Sequence, residues 1–566
     1  MPIVDQYLHS IAGFLKNKDG KQLQAFLRVE PPLPHEFTQL SLEIKKLFPR
    51  EAQEDLDGRN DRLDRYIEKL IPVPENETPE SNDAGCAWPG FQVFLREYFK
   101  FWRDVDFNDL LMTHTLLSEV TYTCITTLSH PVHGIIVLPA TVYLCSCLVK
   151  LTITLDKRPD LTARVRKVVD EGERKSLAEN TAETIQRAFT ICLTERTSNR
   201  NGITRDGRPE SKKVEIYQFA NMVLKLLYQC KKPRLASQIF TNILQNSPPL
   251  SIYTASERVT YLYYLGRYHF ATNHFYYAQR CFEAAYNQCL TKFIKNRRLI
   301  LVYLVSANII LGRFPSIALM SRPESADIIT RFLPIMQAIR TGDIISFKKA
   351  LGPESGNQQW FFQKGVFLPL LYRCEMLVWR SLARKVFLLT YQFPLDPNSR
   401  KAPTLDVSDM VAVAQYCQKI LEGWKKPVNN MIQMQSGRVH PNTIFMKSAD
   451  LISPPNGPKK LMAHEGLIFG NQMPDIVHIE AIIASLIQQG LVYGYLSHSQ
   501  GKFAIIGSKQ RGGPVRAGFP NVWETLRLKA EQEGKDAEIP GWVQKERTLG
   551  FGGVINLSGA RPAGAE

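Results

Sequence analysis

Apolar residues recur at three- and four-residue steps through most of the first 390 positions, the spacing of amphipathic helices. Ile3–Asn17 predicts an opening helix, and 40–70 a short acidic helical region. Phe91, Phe94, Leu95, Tyr98, Phe101 and Trp102 share one face and open a helical block that reaches about Leu155. Inside it the most apolar run, Gly134–Val149, has 16 residues. That is short of the ~20 needed to cross a bilayer, so the run is predicted to be a buried helix and no membrane span is expected.

Residues 214–320 carry a weak internal repeat. Gly266 is followed by Ala278, Phe282 and Ala285, 12, 16 and 19 positions on. A small residue lets two helices approach and an aromatic one fills the gap, as in tetratricopeptide-type hairpins. Ala236, Phe240 and Ile243 repeat the second half of the pattern, and the runs 299–311, 328–339 and 360–389 extend it. The fold class this predicts is mainly α: a right-handed, TPR-like helical-repeat superhelix.

The period changes after Pro403. Ser408 can cap a helix over 409–421, and Asp475 starts another whose Ile476, Ile479, Ile483, Leu486 and Ile487 form an apolar face. An alternating strand (Leu491–Leu496), a Ser/Gly turn (Ser497–Gly501) and a β-rich strand (Lys502–Ile506) follow. Two helices and a two-stranded wing are the order of a winged-helix domain. The resulting division is N-terminal helices over 1–71, a disordered Pro/Glu/Asn-rich linker over 72–87, and the first part of the helical repeat over 88–196. A flexible basic loop follows at 197–213, then further repeats at 214–400. The winged helix occupies 401–508 with an irregular insertion at 423–474, and an extended tail runs from 509 to 566.

Charge sharpens this division. The chain carries +16 over 566 residues. Its first 90 residues hold 11 basic and 16 acidic side chains, a net of −5, which leaves +21 for the other 476. Such an excess favours a polyanionic partner, and it lies beyond residue 90. Ten cysteines are too sparse for a disulfide scaffold; reduced thiols in an intracellular setting are expected, with no targeting segment.

No catalytic constellation emerges. The phosphate-cradling GxxxxGK[ST], GxGxxG, HExxH and GxSxG patterns are missing from the sequence, so no enzyme, no cofactor and no metal are expected. Basic residues at the winged-helix end do stand out. Lys502, Lys509 and Arg511 are the first candidates for phosphate contacts, with Lys425, Lys426, Lys459 and Lys460 second. An aromatic–basic set, Trp360, Trp379, Arg380, Arg384 and Lys385, is the candidate groove for an acidic peptide.

The stretch 258–304 resembles the signature region of one group of PCI-domain proteins. This is the group of the TREX-two mRNA-export PCI subunit and the COP-nine signalosome subunit-twelve-like proteins. Asp5-Gln6-Tyr7-Leu8, Ala338–Asp343, the run Leu382–Leu389 and Val477–Ser497 support it. Together the matches cover roughly 215–510, in order. The resemblance implies a helical-repeat superhelix ending in a winged helix that pairs with the winged helix of a Sac/GANP-type PCI scaffold. A small acidic Sem/Dss-type subunit would hold the pair, and the joined winged helices would bind RNA or DNA as a basic platform. It further implies a nuclear location, the nuclear pore included, and a role coupling transcription to mRNA export. The same group includes signalosome and splicing-associated subunits without a direct nucleic-acid role; that alternative stays open. The chain departs from the group in its acidic N-terminal extension, its 423–474 insertion and its tail.

Overall fold

The computed structural model describes residues 3–32, 34–49, 62–73, 88–158, 160–161, 176–196, 202–392, 401–425 and 451–533. These fall into two compact units, one reaching Arg258 and the other starting at Val259. Nearly all regular structure is helical. The linker at 74–87, Lys426, and the tail beyond 533 lie outside the described residues.

The first unit opens with α1 (Ile3–Lys16), α2 (Gly20–Phe26), α3 (His35–Leu47) and α4 (Arg62–Leu70). Then come α5 (Pro89–Asp104), α6 (Leu110–Leu128), α7 (Gly134–Asp156), α8 (Leu177–Thr194), α9 (Ile216–Gln229) and α10 (Ala236–Asn246). The face Phe91, Phe94, Leu95, Tyr98, Phe101 and Trp102 is buried throughout. Tyr7 reaches the same core, where its hydroxyl donates to the Phe26 carbonyl at 2.6 Å. That contact gives the opening Asp5–Leu8 segment a packing role.

Helix α7 is longer than its apolar run suggests, at 23 residues, and continues through Pro139. By length and composition it could cross a membrane, yet most of it is buried inside the unit against α2, α6, α8 and α9. The Gly20 Cα lies against the α7 backbone; a Cβ there would stand 2.5 Å from the Ile136 carbonyl oxygen.

The 202–213 part of the expected flexible loop is folded. Ile203 and Pro209 form a backbone bridge. Lys212 is buried, pairs with Glu195 at 3.2 Å and donates to the His130 carbonyl at 3.0 Å. Lys212 and Lys213 therefore do not reach outward as a polyanion contact.

Helix α11 (Ala255–Ala271) carries the boundary. The second unit continues with α12 (Phe275–Gln288), α13 (Ile294–Ile310), α14 (Ile317–Met320) and α15 (Ile328–Thr341). Helices α16 (Ile344–Leu351), α17 (Gln358–Gln363) and α18 (Phe367–Thr390) complete its helical layers. The repeat pattern is realised at Gly266: a Cβ there would stand 2.7 Å from the Phe282 ring, which fills the space between α11 and α12. Gly342 ends α15 with φ +69°, and a Cβ on it would stand 2.6 Å from the Leu382 backbone nitrogen in α18. Asp343 then caps α16 through Ser346 N–H at 3.0 Å.

A winged helix closes this unit. Strand β1 (Thr404–Asp406) precedes α19 (Val407–Leu421); α20 (Ile476–Gln488), β2 (Gly494–Ser497) and β3 (Lys502–Ile505) follow. The sheet is antiparallel in the order β1-β3-β2, with Asp406 and Ser497 both opposite Lys502. Three residues of β1 are too few for a period-2 signal, and the sequence pattern misses that strand. The expected extended tail is partly helical: α21 (Pro514–Gly518) and α22 (Val522–Glu533) follow the wing. Leu526, Leu528, Lys529, Ala530, Glu531 and Gln532 are strong helix formers, and Asn521 accepts from Thr525 N–H through its carbonyl at 3.0 Å.

Candidate nucleic-acid and partner interfaces

The basic candidates of the winged helix fall into separate groups. Lys425 lies at the neck of the insertion, where its backbone exchanges hydrogen bonds with Ile452 at 3.1 and 2.9 Å. Lys459 is tied to the C-terminal end of α19 by its N–H to the Glu422 carbonyl at 2.8 Å. Lys502 faces Asp406 at the N-terminal end of the same helix. Fifteen residues of helix separate these ends, about 20 Å. The seven residues therefore do not make one patch.

Two of them are already engaged. Lys502 Nζ pairs with Asp406 at 3.3 Å, and Lys459 Nζ with Glu354 at 3.1 Å. Both are partly exposed, where an ion pair contributes at most about 1 kcal/mol, so the pairs compete with a phosphate without excluding it. Lys460 and Lys509 are exposed and have no carboxylate partner among the described residues. Arg511 lies over the Tyr493 ring at 4.1 Å. Arg516, one helical turn further, is exposed too.

The insertion is anchored from inside. Gln418 is fully buried; its amide donates to Glu422 at 2.9 Å and to the Gly470 carbonyl at 3.0 Å, and accepts from Leu467 N–H at 3.0 Å. Lys348, buried and paired with Glu375 at 3.1 Å, donates to the His464 carbonyl at 3.1 Å. The wing tip is held by His498, whose Nδ1 lies 2.7 Å from the buried Glu480 of α20.

The aromatic–basic groove does not form as expected. Trp379 is 1% exposed and belongs to the core of α18. Arg380 turns inward: it donates to the carbonyls of Leu491, Phe519 and Pro520 at 3.1, 3.1 and 2.6 Å. Burial, with Arg384 beside it, pulls its guanidinium down to about 10, so it still carries charge at neutral pH. A helical face pattern cannot distinguish such an inward arginine from an exposed one, because only the carbonyls of distant loops draw it in. Trp360 is half-buried under Arg331, 5.2 Å from its ring. Arg384 and Lys385 alone of this set are exposed. Arg297 at the start of α13 is also internal, paired with Glu324 at 2.8 Å and stacked on Tyr286.

Stacked helices followed by a β-α-α-β-β winged helix are the architecture expected of a PCI-type helical-repeat protein. Comparison with known proteins agrees, although no family model matches the chain. A Schizosaccharomyces pombe "PCI domain-containing protein" is 28% identical over 420 residues, 73% of this chain and 84% of that protein. "PCI domain-containing protein 2" of Xenopus laevis is 27% identical over 46% of this chain and 62% of that protein. A "Protein CSN12 homolog" of Neurospora crassa is 28% identical over 38% of this chain and 46% of that protein. The match thus spans less than two thirds of these last two relatives. These relatives support a PCI-domain protein of the group that holds both names.

Proposed function

We propose that the chain is a non-enzymatic scaffold subunit of a nuclear TREX-two-like complex. In this reading its winged helix pairs with that of a Sac/GANP-type PCI scaffold, and a small acidic Sem/Dss-type subunit joins them. RNA or DNA lies along the basic rim, and the assembly couples transcription to mRNA export at or near the nuclear pore. The observation that supports the nucleic-acid part is the exposed cation series Lys460, Lys509, Arg511 and Arg516, none of which has a carboxylate partner among the described residues. Phosphate contacts of this kind give affinity without sequence preference.

The second reading is an assembly subunit of a signalosome-like or splicing-associated complex. The relative named for a signalosome subunit favours it. Purification of the tagged full chain from nuclear extract separates the two. Co-purification of a Sac/GANP-type protein with a small acidic subunit supports the export reading; signalosome subunits in their place overturn it.

A further inference from the structure

A cleft of about 350 Å³ opens in the second unit where α15, α18 and the start of α22 meet. Three arginines line it: Arg340 from α15, and Arg380 and Arg384 from α18. No Asp or Glu is among the lining residues, and among the described residues none of the three arginines is in an ion pair with a carboxylate. Arg384 is close enough to Arg380 to oppose its charge. Three positive groups held round a cleft without a counter-charge repel one another, and the arrangement gains only when an anion enters.

The remaining surface describes that anion. Phe314, Ile339 and Val522 supply apolar walls, and Ser381 and Asn521 supply a hydroxyl and an amide. Arg340 is stacked over the Phe314 ring at 4.7 Å, and Arg380 is fixed by its three carbonyl acceptors. Both side chains are thus placed before any ligand arrives, Arg380 with donors already engaged by those carbonyls. Guanidinium forks match the oxygens of a phosphate in paired hydrogen bonds, which a carboxylate can offer to only one fork at a time. The volume suits a phosphate group with a small organic remainder and sits at the low end of ligand sites.

We propose that this cleft binds a small phosphate monoester as a dianion, with Arg340 and Arg384 as its free forks and Arg380 as a fixed charge behind them. The site lies where α18 carries the winged helix, and a ligand there steadies that junction. It differs from the rim proposed for nucleic acid and stands or falls without it.

Thermal unfolding of the full chain, titrated with phenyl phosphate, tests this. A ligand that binds only the folded state raises the midpoint in proportion to the logarithm of its concentration. The wild type is expected to show this logarithmic rise once phenyl phosphate exceeds its dissociation constant. Arg340→Gln and Arg384→Gln should each weaken binding at least about tenfold, while their ligand-free midpoints stay level or rise, because a repulsion has been removed. Lys460→Gln, on the winged-helix rim, should bind as the wild type does. Inorganic phosphate should bind more weakly than the ester, and a peptide of carboxylates alone should leave the midpoint unmoved. The proposal is overturned if phenyl phosphate at millimolar concentration leaves the wild type unmoved or if both arginine variants respond as the wild type does. Equal or stronger stabilisation by the carboxylate peptide overturns it too.

Discussion

At the residue scale Gly342 and Gly266 stand where a Cβ would run into a neighbouring helix of the second unit. Gly342 combines φ +69° with backbone atoms of α18 in the space a Cβ would take. Gly342→Ala should cost about 2–4 kcal/mol in denaturant unfolding of the second unit. At Gly266 the obstacle is the Phe282 ring, which can shift, so Gly266→Ala should cost less, about 1–3 kcal/mol. Two titrating groups bracket the first unit. Burial, then the charge of Glu257, pushes the Glu215 carboxyl up to about 7, and its Oε2 is buried without a hydrogen-bond partner among the described residues. The folded state therefore holds a proton that the unfolded chain releases, and stability falls as pH rises through about 7. Burial pulls His114 down to about 4, so its neutral form supports the fold at neutral pH and that support is lost as pH falls through about 4. Glu215→Gln should flatten the alkaline loss and leave the acid limb in place; an unchanged slope between about pH 5 and 8 would contradict the assignment.

At the scale of elements, the sequence pattern locates helices wherever an apolar stripe repeats and fails where the signal is shorter than its period. The core face of α5, the Gly266–Phe282 packing and the order of α19, α20, β2 and β3 were all legible. Strand β1 was not, because three residues paired to β3 obtain their order from the partner strand. Helix α22 was missed because the Gly, Pro and Arg residues around it read as an extended tail. Its anchors are long-range: Trp523 lies under Arg313 at 4.8 Å and Tyr276 donates to Glu531 at 2.8 Å. Trp523→Ala should weaken that docking by about 1 kcal/mol and raise amide exchange over 522–533, with little change in α19 or α20. The candidate sites fared worse than the fold. Residue type and helical register marked Trp379 and Arg380 as a groove, but carbonyls more than a hundred residues away turn Arg380 inward. Replacing it by Met leaves three acceptors without their donor, an expected loss of about 2–4 kcal/mol.

For the whole molecule, the net charge of +16 is a sum over surfaces of different use. Part is internal, in Lys212, Lys348, Arg297 and Arg380; part is held in surface pairs such as Lys502 with Asp406. Among the described residues at the winged-helix end, Lys425, Lys460, Lys509, Arg511 and Arg516 stay exposed without a carboxylate partner, and the nucleic-acid proposal rests on the last four. Each phosphate contact to a single strand contributes about 0.7 to the slope of log affinity against log salt. The direct test is the salt dependence of single-stranded RNA binding by the chain assembled with its co-purified subunits, wild type against Lys460→Glu, Lys509→Glu, Arg511→Glu and Arg516→Glu together. The account predicts that the variant assembles normally, binds at least about a hundredfold more weakly and loses about 3 from its slope. Unchanged affinity and slope in the intact variant assembly would contradict it.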